Sequence, residues 1–268
     1  MEETPGTPVA YGRTAEIYAW HDDTVLKLFY DWFSFENIQY EWKIARAVQS
    51  SGLPVPVVGE ILHIHGRYGI TYQHIQGNSM VRQMMREPWK VFHYARKMAD
   101  LHARIHAITL QTDLPPLRAK IATKIHQAAA LPDDLRQETL QLLENMPDGD
   151  RLCHGDFHPE NILITPQGEW IIDWIDAGIG NPLADVARTT VIFLGAIDSG
   201  QMRNPILKIL AHLFHQKYLR RYFALHGGGK DEYTRWLPIV AAARLSENIA
   251  ELEAYLIAQV EKGLRNIC

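Results

Sequence analysis

The stretch His154-Gly155-Asp156-Phe157-His158-Pro159-Glu160-Asn161, with Ile171-Ile172-Asp173-Trp174-Ile175 beyond it, decides how this chain is read. Between the two lie Asn161 to Thr165, a Pro166-Gln167-Gly168 turn and the start of Trp170 to Trp174, the pattern of a β-hairpin. An isolated Asp-x-x-x-x-Asn is more often turn and capping chemistry, because both side chains satisfy local backbone groups. Asp173 shifts the balance: a carboxylate inside an apolar strand would be partly desolvated and needs a cation, a hydrogen-bond partner or a raised pKa. One carboxylate to orient a hydroxyl and accept its proton, with two hard oxygen ligands for Mg²⁺, is the donor set of ATP-dependent phosphoryl transfer. On that chemistry Asp156 is the base, and Asn161 with Asp173 holds the metal.

Upstream of this cluster the chain reads as strands. Ala15 to Trp20 and Thr24 to Tyr30 flank the turn-like His21-Asp22-Asp23, and Val57 to Ile64 and Tyr68 to Ile75 flank His65-Gly66-Arg67. Between the two hairpins, Ile38, Trp42, Ala45 and Val48 recur at helical spacing until Ser50-Ser51-Gly52. From about Trp89 onward the patterns are helical: 91–108, 117–130, 135–145, 184–197, 206–225 and 233–264. The expected architecture is therefore α+β and bilobal, with a small β-rich lobe over 1–76 and a larger, mainly helical lobe over 77–268.

Composition narrows the classes. The chain has 268 residues, a formal charge of −4, 47% hydrophobic and 22% charged residues, enough to bury a core and unlike a disordered or fibrous chain. With no basic cluster, a nucleic acid is not the expected ligand. The longest apolar run, near Val191 to Ile197, is too short to span a bilayer, and the N-terminus has no basic-then-apolar leader. Cys153 and Cys268 are the only cysteines, too few for a disulfide framework, so a reducing, cytoplasmic setting is expected.

The first lobe offers a matching cationic site. Lys27 is flanked by Leu26 and Leu28 and alternates away from their face, and Glu41 lies on the following helix as its partner. A kinase uses such a Lys–Glu pair to meet the α/β-phosphates. Read alone, Lys27 is the solvent-facing residue of an amphipathic strand; the distal Asp156, Asn161 and Asp173 reverse that reading.

HGDFHPENIL at 154–163 and IIDWIDAGIGNPLADVA at 171–187 resemble the aminoglycoside phosphotransferase and choline kinase group, small-molecule kinases with a protein-kinase-like fold. The resemblance covers most of the chain in outline and is specific over Leu152 to Arg188. It implies ATP and Mg²⁺ as cofactors, Asp156 as catalytic base, Asn161 and Asp173 as metal ligands, and Asp185 as a buried aspartate supporting the catalytic loop. It also implies a hinge at Gln73 to Ile75 that offers main-chain groups to adenine, with Tyr72 at the back of the pocket. The loop Tyr11-Gly12-Arg13-Thr14-Ala15 departs from the protein-kinase pattern by having one glycine, so phosphate contact there falls to backbone N–H groups and the Thr14 hydroxyl.

Two other classes fit part of the pattern. His154, Asp156 and His158 could form a metal-hydrolase cluster, although residues two apart in a loop seldom converge without further ligands. His102 and His106 lie four apart on a helix without the glutamate of a zincin and read as core or surface histidines. A pseudokinase is disfavoured because Lys27, Glu41, Asp156, Asn161 and Asp173 are all present. The acceptor is expected to be a small-molecule hydroxyl on an amine, sugar or antibiotic, and the compact 176–185 segment leaves little room for a phosphorylation-controlled activation loop. Glu247 and Glu251, four apart on an expected helix, are weak candidates for binding a cationic amine.

Overall fold

The computed structural model describes residues 5–21, 23–110, 112–200 and 202–267; Asp22 of the expected first turn, the first four residues of the N-terminal stretch and Cys268 lie outside the described residues. The chain forms two compact units, one from 1–83 with 160–175 and the other from 84–159 with 176–268.

The first unit is built on a five-stranded antiparallel sheet of β1 (Pro8–Tyr11), β2 (Ala15–Ala19), β3 (Thr24–Phe29), β4 (Val58–Ile64) and β5 (Arg67–Gln73), in the order β1-β2-β3-β5-β4. Strand alternation sorts its residues. Leu26 and Leu28 of β3 pack with Tyr18 and Ile64 on one face, while Phe29 joins Ala15, Ile38, Val58 and Ile70 on the other, against the helix α1 (Phe35–Gln49). Ser34 caps α1 by accepting from the Asn37 N–H at 3.3 Å, an interaction worth about 1 kcal/mol. The Trp42 indole donates to the Gly59 carbonyl at 2.7 Å and ties α1 to β4. The β4–β5 turn is tighter than the sequence suggested: His65 and Gly66 both have positive φ (47° and 82°), the signature of a two-residue type I′ loop.

A second sheet, β6 (Asn78–Ser79), β8 (Ile162–Thr165) and β9 (Gly168–Ile171), belongs to the same unit and contains the expected third hairpin. Strand β1 and the two-residue β6 had no signal of their own in the sequence, being too short to show a period.

The second unit is helical. It contains α3 (Val91–His106), α4 (Leu117–Gln127), α5 (Asp133–Glu144), α6 (Pro182–Asp198), α7 (Pro205–His226), α8 (Lys230–Arg244) and α9 (Ala250–Arg265); the short α2 (Met80–Arg86) precedes α3. A pair of three-residue strands, β7 (Arg151–Cys153) and β10 (Gly178–Gly180), holds together the ends of the loops of interest. Tyr218, Tyr222, Phe214, Trp236, Met98 and Ile105 fill the core. The helix expected over 233–264 is two helices. Asn248 adopts the left-handed conformation (φ 51°) after the 3-10 turn Leu245–Glu247, and a new helix starts at Ala250. Glu247 and Glu251 therefore sit on different elements, and the shared acidic face expected of them does not form.

Candidate active site

In the first unit Lys27 lies on the α1 face of β3, paired across the sheet with Ile17 and Ile70. Its Nζ donates to Glu41 Oε1 at 2.6 Å and stands 3.5 Å from Asp173 Oδ1. Burial works against the Lys27 charge, but Asp173 and Glu41 outweigh it and hold the ammonium above its ordinary pKa. The Tyr72 hydroxyl donates to the same Glu41 oxygen at 3.2 Å; burial and the Glu41 charge push its pKa well up, so it remains a donor.

Asp173 sits differently from the strand residue the sequence suggested. Strand β9 stops at the fully buried Ile171, and Asp173 lies two residues beyond with φ 63° and a side chain 42% exposed. Trp174, by contrast, is buried and donates its indole N–H to the Ile171 carbonyl at 3.1 Å. Asn161 closes a 3-10 turn (Pro159–Asn161), is buried, and accepts the Ile172 N–H on its carbonyl at 3.0 Å, which links the Asn161 and Asp173 segments directly. A carboxamide and a partly open carboxylate form a hard-oxygen donor set that suits Mg²⁺.

The remaining candidates of this unit are exposed or half-buried. Gly12 donates its N–H to the Ala15 carbonyl at 2.8 Å, making 12–15 a tight turn, and the Thr14 carbonyl accepts from Tyr30 N–H at 2.9 Å. At the expected hinge, Gln73 N–H is taken by the Val57 carbonyl (2.8 Å) and His74 N–H by the Asp23 carbonyl (2.6 Å). The Ile75 N–H has no partner among the described residues.

In the second unit, the first turns of α6 grip the loop 154–157 along one face, since residues at i, i+3 and i+4 are neighbours on a helix. Asp185 accepts the backbone N–H groups of His154 (2.6 Å) and Gly155 (2.9 Å). Arg188 donates to the Gly155 carbonyl (3.2 Å) and to Asp156 Oδ1 (3.4 Å), and the Thr189 hydroxyl donates to the Phe157 carbonyl (2.8 Å). Gly155 itself has φ 78°, and a Cβ there would come within 2.3 Å of the Asp176 carbonyl oxygen. Burial alone would raise the Asp156 pKa; the His158 contact at 3.4 Å and Arg188 overcome it and hold the carboxyl well below the usual range.

Asp185 is fully enclosed. Besides the two backbone donors it meets His102 Nε2 at 3.1 Å and His106 Nε2 at 3.2 Å, while their Nδ1 atoms face the hydroxyls of Tyr218 (2.7 Å) and Tyr222 (2.6 Å). Burial, helped by His106, pulls His102 down to about 3, so its ring is neutral and donates from Nε2. Burial would raise the Asp185 pKa, but the hydrogen bonds from His102 and His106 outweigh it and keep the carboxylate ionised. Among the described residues, His102, His106 and Asp185 form the group of three whose ligand atoms lie within 4.8 Å of one another. The expected rival, His154 with Asp156 and His158, does not gather its ligand atoms. The His154 ring is buried against Phe157, and its Nδ1 accepts the Asp156 N–H at 3.2 Å.

Glu247 is engaged by Arg188 and lies 3.6 Å from Arg244, whereas Glu251 is exposed on α9. Sequence reading missed Arg188, Thr189 and the two tyrosines. The available signal was that His102/His106 and Tyr218/Tyr222 each repeat at four residues on apolar helices, the spacing of two facing stripes. Among the described residues no helix is long and apolar enough to cross a membrane.

Comparison with known proteins bears on the fold and the family. The human protein named acyl-CoA dehydrogenase family member 11 is 28% identical over 183 residues, 59% of this chain and 23% of that protein; the chicken protein of the same name is 24% identical over 85% of this chain and 35% of its own length. This chain thus spans about a quarter to a third of the curated relatives it matches. Among solved structures, a thermostable mutant of the aminoglycoside phosphotransferase APH(4)-Ia superposes with a TM-score of 0.67 over 97% of this chain and 94% of that one, at 17% identity. A choline/ethanolamine kinase family protein from Mesorhizobium loti gives 0.57 over 98% and 86%, also at 17% identity. These likenesses show the protein-kinase-like fold. The model of the phosphotransferase enzyme family matches residues 6–224, most of the sequence, and the chain belongs to that family.

Proposed function

We propose that the protein is an ATP-dependent small-molecule kinase that transfers the γ-phosphoryl group to an acceptor hydroxyl. The observation that carries this reading is Lys27 Nζ held between Glu41 (2.6 Å) and Asp173 (3.5 Å), a buried cation whose two carboxylate partners have different exposure. Glu41, 5% exposed, serves to aim the ammonium, and the more open Asp173 is free to turn toward a metal.

On this reading residues 1–76 form the nucleotide lobe and 77–268 the catalytic and acceptor lobe. Lys27 meets the phosphates, the exposed backbone turn at Gly12 and the Thr14 hydroxyl face them, and Gln73 to Ile75 line the adenine edge. Asn161 and Asp173 would hold Mg²⁺, which supplies charge neutralisation at the phosphates and keeps several of its waters. Asp156, held ionised by His158 and Arg188, accepts a hydrogen bond from the acceptor hydroxyl and aligns its oxygen. A strongly acidic carboxyl is a weak base, which suits a loose transition state in which the proton departs late. Solved relatives supply the parallel: the APH(4)-Ia complexes contain AMP-PNP and hygromycin B, and the amicoumacin kinase complex contains AMP-PNP and Ca²⁺.

The test separates two roles. Asp156→Ala is expected to remove most ATP turnover and leave calorimetric MgATP affinity intact, while Asp173→Ala weakens MgATP binding as well. Equal loss of binding in both variants would contradict the assignment.

A further inference from the structure

Glu41 is a buried carboxylate with an uneven set of donors. Lys27 Nζ (2.6 Å) and the Tyr72 hydroxyl (3.2 Å) both bind Oε1, while Oε2 is buried and has no hydrogen-bond partner among the described residues. The torsion that exchanges the two oxygens of a glutamate is soft and two-fold. Lys27 alone could therefore be met by either oxygen, and the ammonium would stand in a different place in each case. Helix α1 does not decide between them. One turn from Glu41, Ile38, Ile44 and Ala45 carry no side-chain donor, and Asn37 is exposed. The second donor on Oε1 comes from the sheet.

Tyr72 is placed to give that bond. It lies on β5 opposite Val25 of β3 and Val58 of β4, two residues along from Ile70, the cross-strand partner of Lys27. Alternation puts Lys27, Ile70 and Tyr72 on one face of the sheet. There the Tyr72 ring packs against the cluster of Ile38, Val58 and Ile70, which fixes where its hydroxyl points. Phenylalanine would fill the same space, so the packing does not need the hydroxyl.

We propose that Tyr72 is a positioning residue for phosphoryl transfer: its hydroxyl pins the Glu41 carboxylate so that Oε1 holds the Lys27 ammonium where it meets the nucleotide phosphates. This rests on the kinase reading above and adds to it a residue that acts through Glu41 and Lys27. The consequence reaches the metal side as well. With Glu41 pinned, Lys27 Nζ stands 2.6 Å from Glu41 and 3.5 Å from Asp173, which leaves Asp173 loosely engaged. Without the pin the Glu41 carboxylate can turn, and the ammonium shifts toward Asp173, the carboxylate that would hold Mg²⁺.

The test compares MgATP with adenosine, which has the base and sugar but no phosphate for Lys27 to meet. Calorimetry on the whole chain gives both affinities for the wild type, Tyr72→Phe, Lys27→Met and the double variant. Tyr72→Phe is expected to raise the Kd for MgATP about fivefold, roughly 1 kcal/mol, the scale of one hydrogen bond, and to leave adenosine affinity within about twofold. In the Lys27→Met background the same substitution should change MgATP affinity by less than about twofold, because the ammonium through which Tyr72 acts is gone. Equal weakening of MgATP and adenosine would make Tyr72 a part of the base pocket or of the fold alone and would overturn the inference. So would unchanged MgATP affinity in Tyr72→Phe, or a loss that persists undiminished in Lys27→Met. If Lys27→Met does not fold, the comparison with adenosine decides by itself. Failure of the kinase reading looks different: the wild-type protein would then bind neither MgATP nor adenosine.

Discussion

Arg188 Nη2 reaches Asp156 Oδ1 at 3.4 Å while Arg188 Nε donates to the Gly155 carbonyl at 3.2 Å, so one guanidinium holds both the backbone and the carboxylate of a single loop. Lysine has the charge but lacks the fork that makes two directed contacts. Arg188→Lys should therefore lower kcat by about 10- to 100-fold with MgATP affinity unchanged. Arg188→Met should in addition destabilise the fold by about 3 kcal/mol, because the part-buried Glu247 loses a cation. Chemical denaturation alongside steady-state kinetics separates the two effects; wild-type kcat in the lysine variant would show that Asp156 needs no such support.

Gly155 and Gly66 offer a matched pair of backbone tests. Both have positive φ, 78° and 82°, but a Cβ at Gly66 meets nothing within 4 Å whereas one at Gly155 would lie 2.3 Å from the Asp176 carbonyl oxygen. Gly66→Ala is expected to cost only the left-handed penalty, about 1–2 kcal/mol. Gly155→Ala should cost distinctly more and abolish turnover, since either the 154–157 loop or the Asp176 segment must move. Urea midpoints that coincide for the two variants would refute the argument from close approach.

Glu41 binds Lys27 through Oε1, and its buried Oε2 has no hydrogen-bond partner among the described residues. Glu41→Gln retains an acceptor for Lys27 and for the Tyr72 hydroxyl, so the expected loss in kcat/KM for MgATP is at most about tenfold. Glu41→Leu removes it and leaves a buried ammonium with one distant partner, for which about a hundredfold loss and a fall in stability of about 3 kcal/mol are expected. Titrating both variants with MgATP decides the matter, and equal affinities would mean that Glu41 does not aim Lys27.

Acid should unfold this protein through buried histidines before its carboxylates. His102 is pulled by burial to about 3 and His215 to about 4, both below the ordinary 6.5. The unfolded chain therefore binds more protons than the native one across this range, and stability rises with pH. The contribution of each histidine is complete above about pH 6.5 and is lost as pH falls toward 3 for His102 and 4 for His215, at about 1.4 kcal/mol per pH unit for each. Asp185, held far below its ordinary value, adds its own loss only below about pH 4. Urea midpoints measured from pH 7 to pH 4 should show this slope, reduced by about half in His215→Phe; a flat profile down to pH 4.5 would exclude the mechanism.

Much of the architecture was legible because its signals are local. The β2–β3, β4–β5 and β8–β9 hairpins announce themselves by alternation and turn residues, and α1 by Ile38, Trp42, Ala45 and Val48. Features set by backbone conformation at one residue were not legible. The helix expected over 233–264 breaks at Asn248, and Asp173 lies past the end of its strand, because a left-handed residue leaves no periodic trace.

Residue types and their order were readable from the chain alone: Lys27 on an amphipathic strand, Asp156 and Asn161 in one loop, Asp173 after an apolar run, and Asp185 three residues before Arg188. What each of them touches is set by the packing of the folded chain. Asp185 is a brace because four donors from two chain segments, α3 and the 154–155 loop, converge on it, Glu247 is a counter-ion to Arg188 from 59 positions away in sequence, and Lys120 and Lys124 crowd one aspartate. Hydrophobic periodicity is written within a few turns of chain, whereas electrostatic partnership depends on distance and burial in three dimensions, which packing alone fixes.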